Sequence, residues 1–275
     1  MNKRWMVVAI VIAALVAVSV IKDLAIKTAV EAGAEIVTGL KLTMSGFNAG
    51  IARSIVSIKG LKLHNPKGFP DPVMIDMPEI YVDYDLPAML RGEIHLKEAR
   101  INLAEFVVVK DRAGKLNLNS LKAVAAQKKG AQATSKAGKP MKMRIDVLNL
   151  KIGKAVYKDY SRGGAPSVTE YNINIDKTFR NVDNPNTLVS LLVVEALTKT
   201  PIAGLANFDV GSLSRSVSAS LESATKAVAV AQETVNKTLE STKVAADTAK
   251  TATNTAKKTV ESVGGLLKGL GSSRE

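Results

Sequence analysis

Residues 55–109 read IVSIKGLKLHNPKGFPDPVMIDMPEIYVDYDLPAMLRGEIHLKEARINLAEFVVV, and this stretch decides the fold. It divides into three apolar runs with breakers between them, and each run alternates apolar with polar residues before changing phase once. Val56 and Ile58 share a face, and after Gly60 the apolar positions are Leu61 and Leu63. Val73, Ile75 and Met77 are followed, past Pro78, by Ile80, Val82 and Tyr84. Ile94 and Leu96 give way to Ala99, Ile101 and Leu103. A one-residue slip exchanges the faces of a strand, so each change of phase predicts a bulge or a strong twist. Gly60 and Pro78 are residue types that mark such places. The expected element is a curved antiparallel sheet. The first two runs are joined by Asn65-Pro66-Lys67-Gly68-Phe69, which supplies Asn, Pro and Gly at the first, second and fourth positions of a type I turn.

These motifs carry a resemblance. KGLKLHNPKGF, a strand, DLPAMLRGEIHLKEARI, a second strand and DRAGKLNLNSL together resemble the AsmA-like proteins of bacterial envelopes, as a short member. The turn residues Asn65, Pro66, Gly68 and Phe69 match that pattern best, together with Met89-Leu90-Arg91-Gly92-Glu93-Ile94. The resemblance implies a curved sheet forming an apolar groove, and a role in lipid handling or envelope maintenance without catalysis. Candidate groove-lining residues are Val56 and Ile58 on the first run, Ile75, Ile80 and Val82 on the second, and Ile94, Ile101 and Leu103 on the third.

Upstream, Lys3 and Arg4 precede an apolar run from Trp5 to Ile21, interrupted only by Ser19. At 1.5 Å per residue the run spans about 25 Å, enough for a membrane core of about 30 Å with some local thinning. The flanking charges predict a cytoplasmic N-terminus and an exported domain. A cleaved signal is the alternative, since Ala17-Val18-Ser19 is a passable cleavage site. Helical spacing at Ile26, Val30, Gly33, Val37 and Leu40 continues past that site and favours a retained anchor. The resemblance agrees, implying a single-pass protein of the bacterial inner membrane with its main domain in the periplasm.

Leu40–Phe47 predicts a first strand, and Met141–Leu150, Ile152–Tyr160 and Val168–Ile175 predict three more after the central three. Residues 127–140 are small, polar and cationic, as expected of a flexible linker. Ten Lys or Arg and one acid, Asp111, lie from Lys110 to Arg144. They make the linker either a solvated loop or a polybasic patch, with Lys128, Lys129, Lys136 and Lys139 as candidate contacts to an anionic surface. Asn184 followed by Pro185 predicts a helix start, and the apolar sequence to Thr200 is too short to span a bilayer and is expected to pack on the sheet.

From Ser212 to Val263 there is no Gly, Pro or aromatic residue, and Ala, Thr, Val, Ser and Lys dominate. The pairs Glu222–Lys226 and Glu233–Lys237 suit a helix, and the composition is weakly similar to late-embryogenesis-abundant helices. An Ala/Thr stripe argues against a strong coiled coil. The tail is expected to bind a membrane surface or a partner, or to self-associate. The resulting organisation is α+β, with an anchor and helical extension over 1–39, a sheet domain over 40–210 and a helical tail over 211–275.

The 275 residues carry a net charge of +13 and no Cys, which excludes disulfides and thiolate chemistry. His64 and His95 stand on separate strands with no Cys or acidic cluster at ligand spacing, so neither reads as a metal ligand. Asp83 and Asp85 read as a solvated strand face, and Ser161-Arg162-Gly163-Gly164 reads as a hairpin turn. With aromatics at 4% and none interleaved with basic residues, nucleic acid is not the expected partner of the positive charge. No enzyme activity and no cofactor are expected. Phospholipid or another envelope lipid is the candidate ligand, and the rival reading is a structural or interaction protein whose sheet is a mount for the tail.

The anchor reading has a direct test. In cells with a permeabilised outer barrier, added protease should digest residues 40–275 while an N-terminal tag on Met1–Arg4 stays protected. A mature chain starting near Val20 would instead establish the cleaved signal.

Overall fold

The computed structural model describes residues 27–28, 30–32, 35, 38–50, 53–128 and 143–271, with the side chains of 126–128 and of many positions beyond 238 left out of the description. The predicted anchor, Trp5–Ile21, lies outside the described residues. Among the described residues no helix is long and apolar enough to cross a membrane.

The described residues form a seven-stranded sheet. Its strands are β1 (Leu42–Thr43), β2 (Gly46–Gly50), β3 (Ile55–His64), β4 (Val73–Tyr84), β5 (Ile94–Lys110), β6 (Met143–Asp159) and β7 (Ser167–Val182). The order is β1-β3-β4-β5-β6-β7, with β2 following β1 along the same outer edge of β3. Every pair is antiparallel except β5–β6, which runs parallel from Ile94↔Met143 to Lys110↔Asp159. The sheet is therefore mixed, which corrects the expected antiparallel one. Parallel neighbours need a crossover of a dozen or more residues, and residues 111–142 are that crossover as well as a basic linker. Within it are a 3-10 turn at Asn117–Ser120 and helix α2 (Lys122–Lys128), while α1 (Leu86–Leu90) joins β4 to β5.

Strand boundaries also differ from the sequence reading. Leu40–Phe47 is split between β1 and β2, whereas the two strands expected over 141–160 are replaced by one, Met143–Asp159, of 17 residues with Gly153 inside it. Both differences lie on one transverse line. Ser45 separates β1 from β2 and donates its backbone N–H to Lys59 O at 3.0 Å, beside Gly60. Gly60 falls opposite Pro78, because Lys59 pairs Glu79 and Leu61 pairs Met77. Pro78 falls opposite Leu103, since Glu79 pairs Asn102 and Asp76 pairs Glu105. Ala104 falls opposite Gly153, and the register of β6 with β7 slips there, next to Asn174 at φ +42°.

Along this crease the alternation of faces is interrupted in β3, β4, β5 and β6 together. Ile58, Ile80, Ile101 and Leu150 on one side, and Leu61, Met77, Phe106 and Ala155 on the other, are buried in one core. The bulge expected from the phase change in β3 and β4 is absent at Gly60 and Pro78, because both strands break phase together and stay in register. In β5 a bulge does accompany the change, with Lys97 as the extra residue between Leu96↔Tyr84 and Glu98↔Asp83. The glycines permit close approach at the crease. Gly60 has φ +56°, and a Cβ there would collide with the Ser45 hydroxyl, while a Cβ on Gly153 would lie 2.9 Å from Ala104 O.

Helix α3 (Pro185–Thr198) covers the apolar face. Asn184 caps it by accepting from Asn186 N at 2.8 Å, and Pro185 opens its first turn. Val189, Leu191, Leu192, Val193, Val194, Ala196 and Leu197 are all buried in the sheet's core. So are Ile202 from α4 (Ile202–Leu205) and Leu213 and Val217 from the start of α5 (Val210–Gly271). Val30, from the helical residues upstream of the sheet, packs on the same core. Glu195 is buried but paired, accepting from Lys177 Nζ at 2.7 Å. The opposite face of the sheet is charged, with Lys154 bridging Glu105 at 2.9 Å and Glu170 at 3.1 Å across three strands.

Two compact units are distinguished, residues 1–225 and 226–275. The first contains the sheet, the helices that cover it and the opening turns of α5. In the second, the described side chains other than the half-buried Val228 are exposed, Val230 and Val235 among them at 63% and 57%. The helical threonines turn their hydroxyls onto their own backbone. Thr225 donates to Leu221 O, Thr234 to Val230 O and Thr238 to Thr234 O, each at 2.9 Å.

The crease predicts a graded cost for adding one methyl group. Gly114→Ala, at φ +76° with open space around it, should cost about 1–2 kcal/mol from backbone strain alone. Gly60→Ala should cost more by urea denaturation, and Ser45→Ala should recover part of the excess in the double variant. Equal losses at the two glycines, with no recovery, would show that close approach at Gly60 does not matter.

Candidate functional site

The residues expected to line a groove lie mostly inside the core. Ile58, Ile75, Ile80, Ile101 and Leu103 are buried, and Val56 and Val82 pack against them half-buried. Ile94 stands apart, half-buried at the start of β5 beside a cleft that His95, Arg91 and Arg144 also line. The apolar face is thus continuous, and α3, α4 and the start of α5 occupy it. Of the four candidate surface lysines, Lys128 ends α2, and Lys129, Lys136 and Lys139 lie outside the described residues.

The turn motif is built differently from the expected type I turn. Phe69 N donates to Pro66 O at 3.3 Å, and Gly68 has φ +99°, so the turn runs from Pro66 to Phe69. A glycine with positive φ at the third position defines type II, and Gly68 moves the turn one residue along from the expected frame. Asn65 is left to close the wider loop. Its N–H donates to Pro72 O at 3.0 Å and its side chain donates to Asp71 O at 2.9 Å.

Asn65 is held in turn by Asn117, which is fully buried. Asn117 Nδ2 donates to Asn65 Oδ1 at 2.9 Å and to Val107 O at 2.8 Å, while its Oδ1 accepts from Val109 N at 3.0 Å. One side chain therefore ties the crossover to β5 and to the 65–72 loop. The hydrogen bonds satisfy the amide in a place where an unmet polar group would be costly. Sequence reasoning noticed KLNLNSL as part of the family pattern but not the role of Asn117. An Asn flanked by Leu116 and Leu118, both buried, is the signal that was there to read.

Beyond the loop, Asp71 accepts from Lys158 Nζ at 2.7 Å and from Tyr160 OH at 2.8 Å. Burial raises the Tyr160 pKa above its ordinary value, and Asp71 raises it further. Phe69 and Tyr160 pack with Val107, Val109 and Val156 on the sheet face away from α3, which makes a small second core. Deeper in β6, burial pushes the Tyr157 hydroxyl up to about 12, helped by the negative charge of Asp159.

Both histidines are satisfied. His64 Nδ1 lies 3.2 Å from Pro72 O and its Nε2 2.8 Å from Thr43 Oγ1, which suits an Nδ1–H donor and a Thr43 O–H donor. His95 Nε2 is 2.8 Å from Asp146 and its Nδ1 is 3.4 Å from Asp85. Asp146 lies 51 positions from His95, so no local spacing could have announced that pair. Burial pushes Asp146 up, but hydrogen bonds from Arg144 and His95 outweigh it and leave the carboxyl below its usual range. Asp85 is not on a strand face as expected. It caps α1, and the Ala88 N–H bonded to it at 2.9 Å lowers its pKa most. Among the described residues no cluster of His, Asp and Glu is arranged to hold a metal ion. Ser161–Gly164 forms the turn between β6 and β7, with Gly163 and Gly164 both at positive φ, as a hairpin requires.

The fold defines a class of protein: a creased mixed sheet with one apolar face roofed by its own helices, one charged face, and a crossover tied to the 65–72 loop by an asparagine pair. The chain belongs to the AsmA family, whose model matches residues 4–264. That match runs through the sheet and most of the tail, further than the motifs that carry the resemblance. No curated protein and no solved structure matches the chain.

Asn117→Leu keeps the volume of the site and removes its polar atoms. The change strands Val109 N–H and Val107 C=O in the core, so it should cost about 2–4 kcal/mol of stability by urea denaturation. A loss under about 0.5 kcal/mol would show that the tie is dispensable.

Proposed function

We propose that this protein is a membrane-anchored envelope protein without catalytic activity, whose sheet domain is a mount and whose tail helix makes the working contact with a membrane surface, a partner or a second copy. It sits in the bacterial inner membrane through residues 5–21, with the sheet domain in the periplasm. Membership of the AsmA family supports the envelope assignment. The charged, aromatic-free tail, with its exposed Val230 and Val235, supports the contact role.

One observation carries the choice of mount over lipid groove: the apolar face is filled by the chain's own helices. Lifting α3 alone would expose seven buried apolar side chains. At about 1.5–3 kcal/mol for each fully buried aliphatic side chain, that is on the order of 10 kcal/mol. Such a cost equals the whole stability of a typical domain, about 5–15 kcal/mol, so a lipid chain would have to replace α3 almost contact for contact. Lipid movement through the face is therefore not part of this reading.

A transfer assay tests it. With the full chain reconstituted in donor vesicles, movement of a fluorescent phospholipid to acceptor vesicles should stay at the protein-free rate. Faster transfer, abolished by cross-linking Lys177 to Glu195 so that α3 stays down, would establish the groove instead.

A further inference from the structure

The two outer edges of the sheet are built differently. Beyond β3 the edge is taken by β1 and β2, of two and five residues, with a break at Ser45. On the other side β7 runs for 16 residues and pairs only with β6. Among the described residues no backbone group meets the outer edge of β7. A long edge strand with open N–H and C=O groups is a template for another strand.

Two kinks bound the regular part of that edge. Asn174 and Asn181 have φ +42° and +56°, and between them the register runs without a slip from Val147↔Arg180 to Ile152↔Ile175. In this window Thr178 bonds Asn149 and Asp176 bonds Lys151 on the charged face, and alternation puts Arg180 with them. Lys177 and Phe179 lie on the other face, where Lys177 bonds Glu195 and Phe179 packs on the core. Asp176, Lys177, Thr178 and Arg180 are exposed, and Phe179 is half-buried. Arg180 has no ion pair among the described residues, and Asp176 meets Lys151 at 3.1 Å with both side chains largely in solvent.

The window is complementary to itself. Residues directly opposite each other in an antiparallel pair share a face, so a two-fold axis joining two copies of β7 passes through a residue. An axis at Asp176, Lys177 or Arg180 sets like charges against each other, which is destabilising. An axis at Ile175 or Phe179 draws Asn174 or Asn181, both at positive φ, into the ladder. An axis at Thr178 avoids both faults. It sets Asp176 opposite Arg180 of the second copy, twice by symmetry, and lays the Lys177 stem beside Phe179 of the second copy.

We propose that two copies of this chain pair antiparallel along the outer edge of β7, with the two-fold axis at Thr178. The contact is isologous and closes at two copies. The kinks at Asn174 and Asn181 end the ladder on both sides, so the charged faces of the two sheets join while the edge takes up one strand and no more. This inference is independent of the anchor and of the tail contact proposed above.

The chain has no Cys, so Thr178→Cys supplies a unique thiol at the axis. With the full chain in mild detergent, oxidation should convert most of this variant to a disulfide-linked dimer. Thr169→Cys is on the same strand, but the register holds its two thiols about 60 Å apart, so it should stay monomeric. Sedimentation equilibrium supplies the second measurement. Arg180→Asp should weaken the dimer about tenfold or more by setting like charges opposite each other, and Asp176→Arg/Arg180→Asp should restore it. Thr178→Lys, which leaves the Asp176–Lys151 pair untouched, should abolish the dimer without changing the melting temperature of the monomer. A monomeric Thr178→Cys, or equal cross-linking of the two cysteine variants, would overturn the axis. So would a dimer that survives both Arg180→Asp and Thr178→Lys, and that outcome would instead assign self-association to the tail. A double charge variant as weak as Arg180→Asp alone would overturn the register.

Discussion

Everything in the sheet domain depends on keeping one face apolar across a line where the pleat is broken. A strand that changes phase alone sends half of its hydrophobic side chains into water. Here Gly60, Pro78, Leu103–Ala104 and Gly153 lie side by side, so neighbouring strands change phase together. Ile101 and Phe106 end up in the same core although they are five positions apart on β5. The bent face left by this arrangement takes α3 across it. The fit is close enough that Leu103, Phe106, Leu150 and Val193 have no exposed surface.

Much of this was legible in the sequence because the phase changes are local. The three runs from Ile55 to Val109 show the strands, and Gly60 and Pro78 show where they bend. Asn184-Pro185 shows where the covering helix starts. Pairing direction was not legible, since β5 and β6 are separated by a long crossover and nothing within either strand distinguishes a parallel neighbour. The division expected between Leu150 and Ile152 does not occur, and the break in alternation there belongs to the crease at Gly153. A glycine inside an alternating run marks either a turn or a crease, and only the neighbouring Ala104 carbonyl shows which.

The polar network was less legible than the core. Hydrophobic residues declare themselves by period, whereas Asn117, Asp71, Lys158 and Asp146 act through partners 51 to 89 positions away. The turn motif was visible as a turn, but its frame was set by the one residue able to hold φ +99°, Gly68. Of the candidate groove residues, all but Ile94 lie in or against one apolar core. What their pattern could not show was the occupant, because a lipid chain and the chain's own α3 require the same lining.

The threonine hydroxyls of α5 carry a consequence for its chemistry. Counted by composition, Thr is a polar residue that both gives and takes hydrogen bonds. At Thr225, Thr234 and Thr238 the hydroxyl proton is spent on the helix's own carbonyls, so these side chains count as polar in the sequence yet offer no hydroxyl donor to whatever meets the helix.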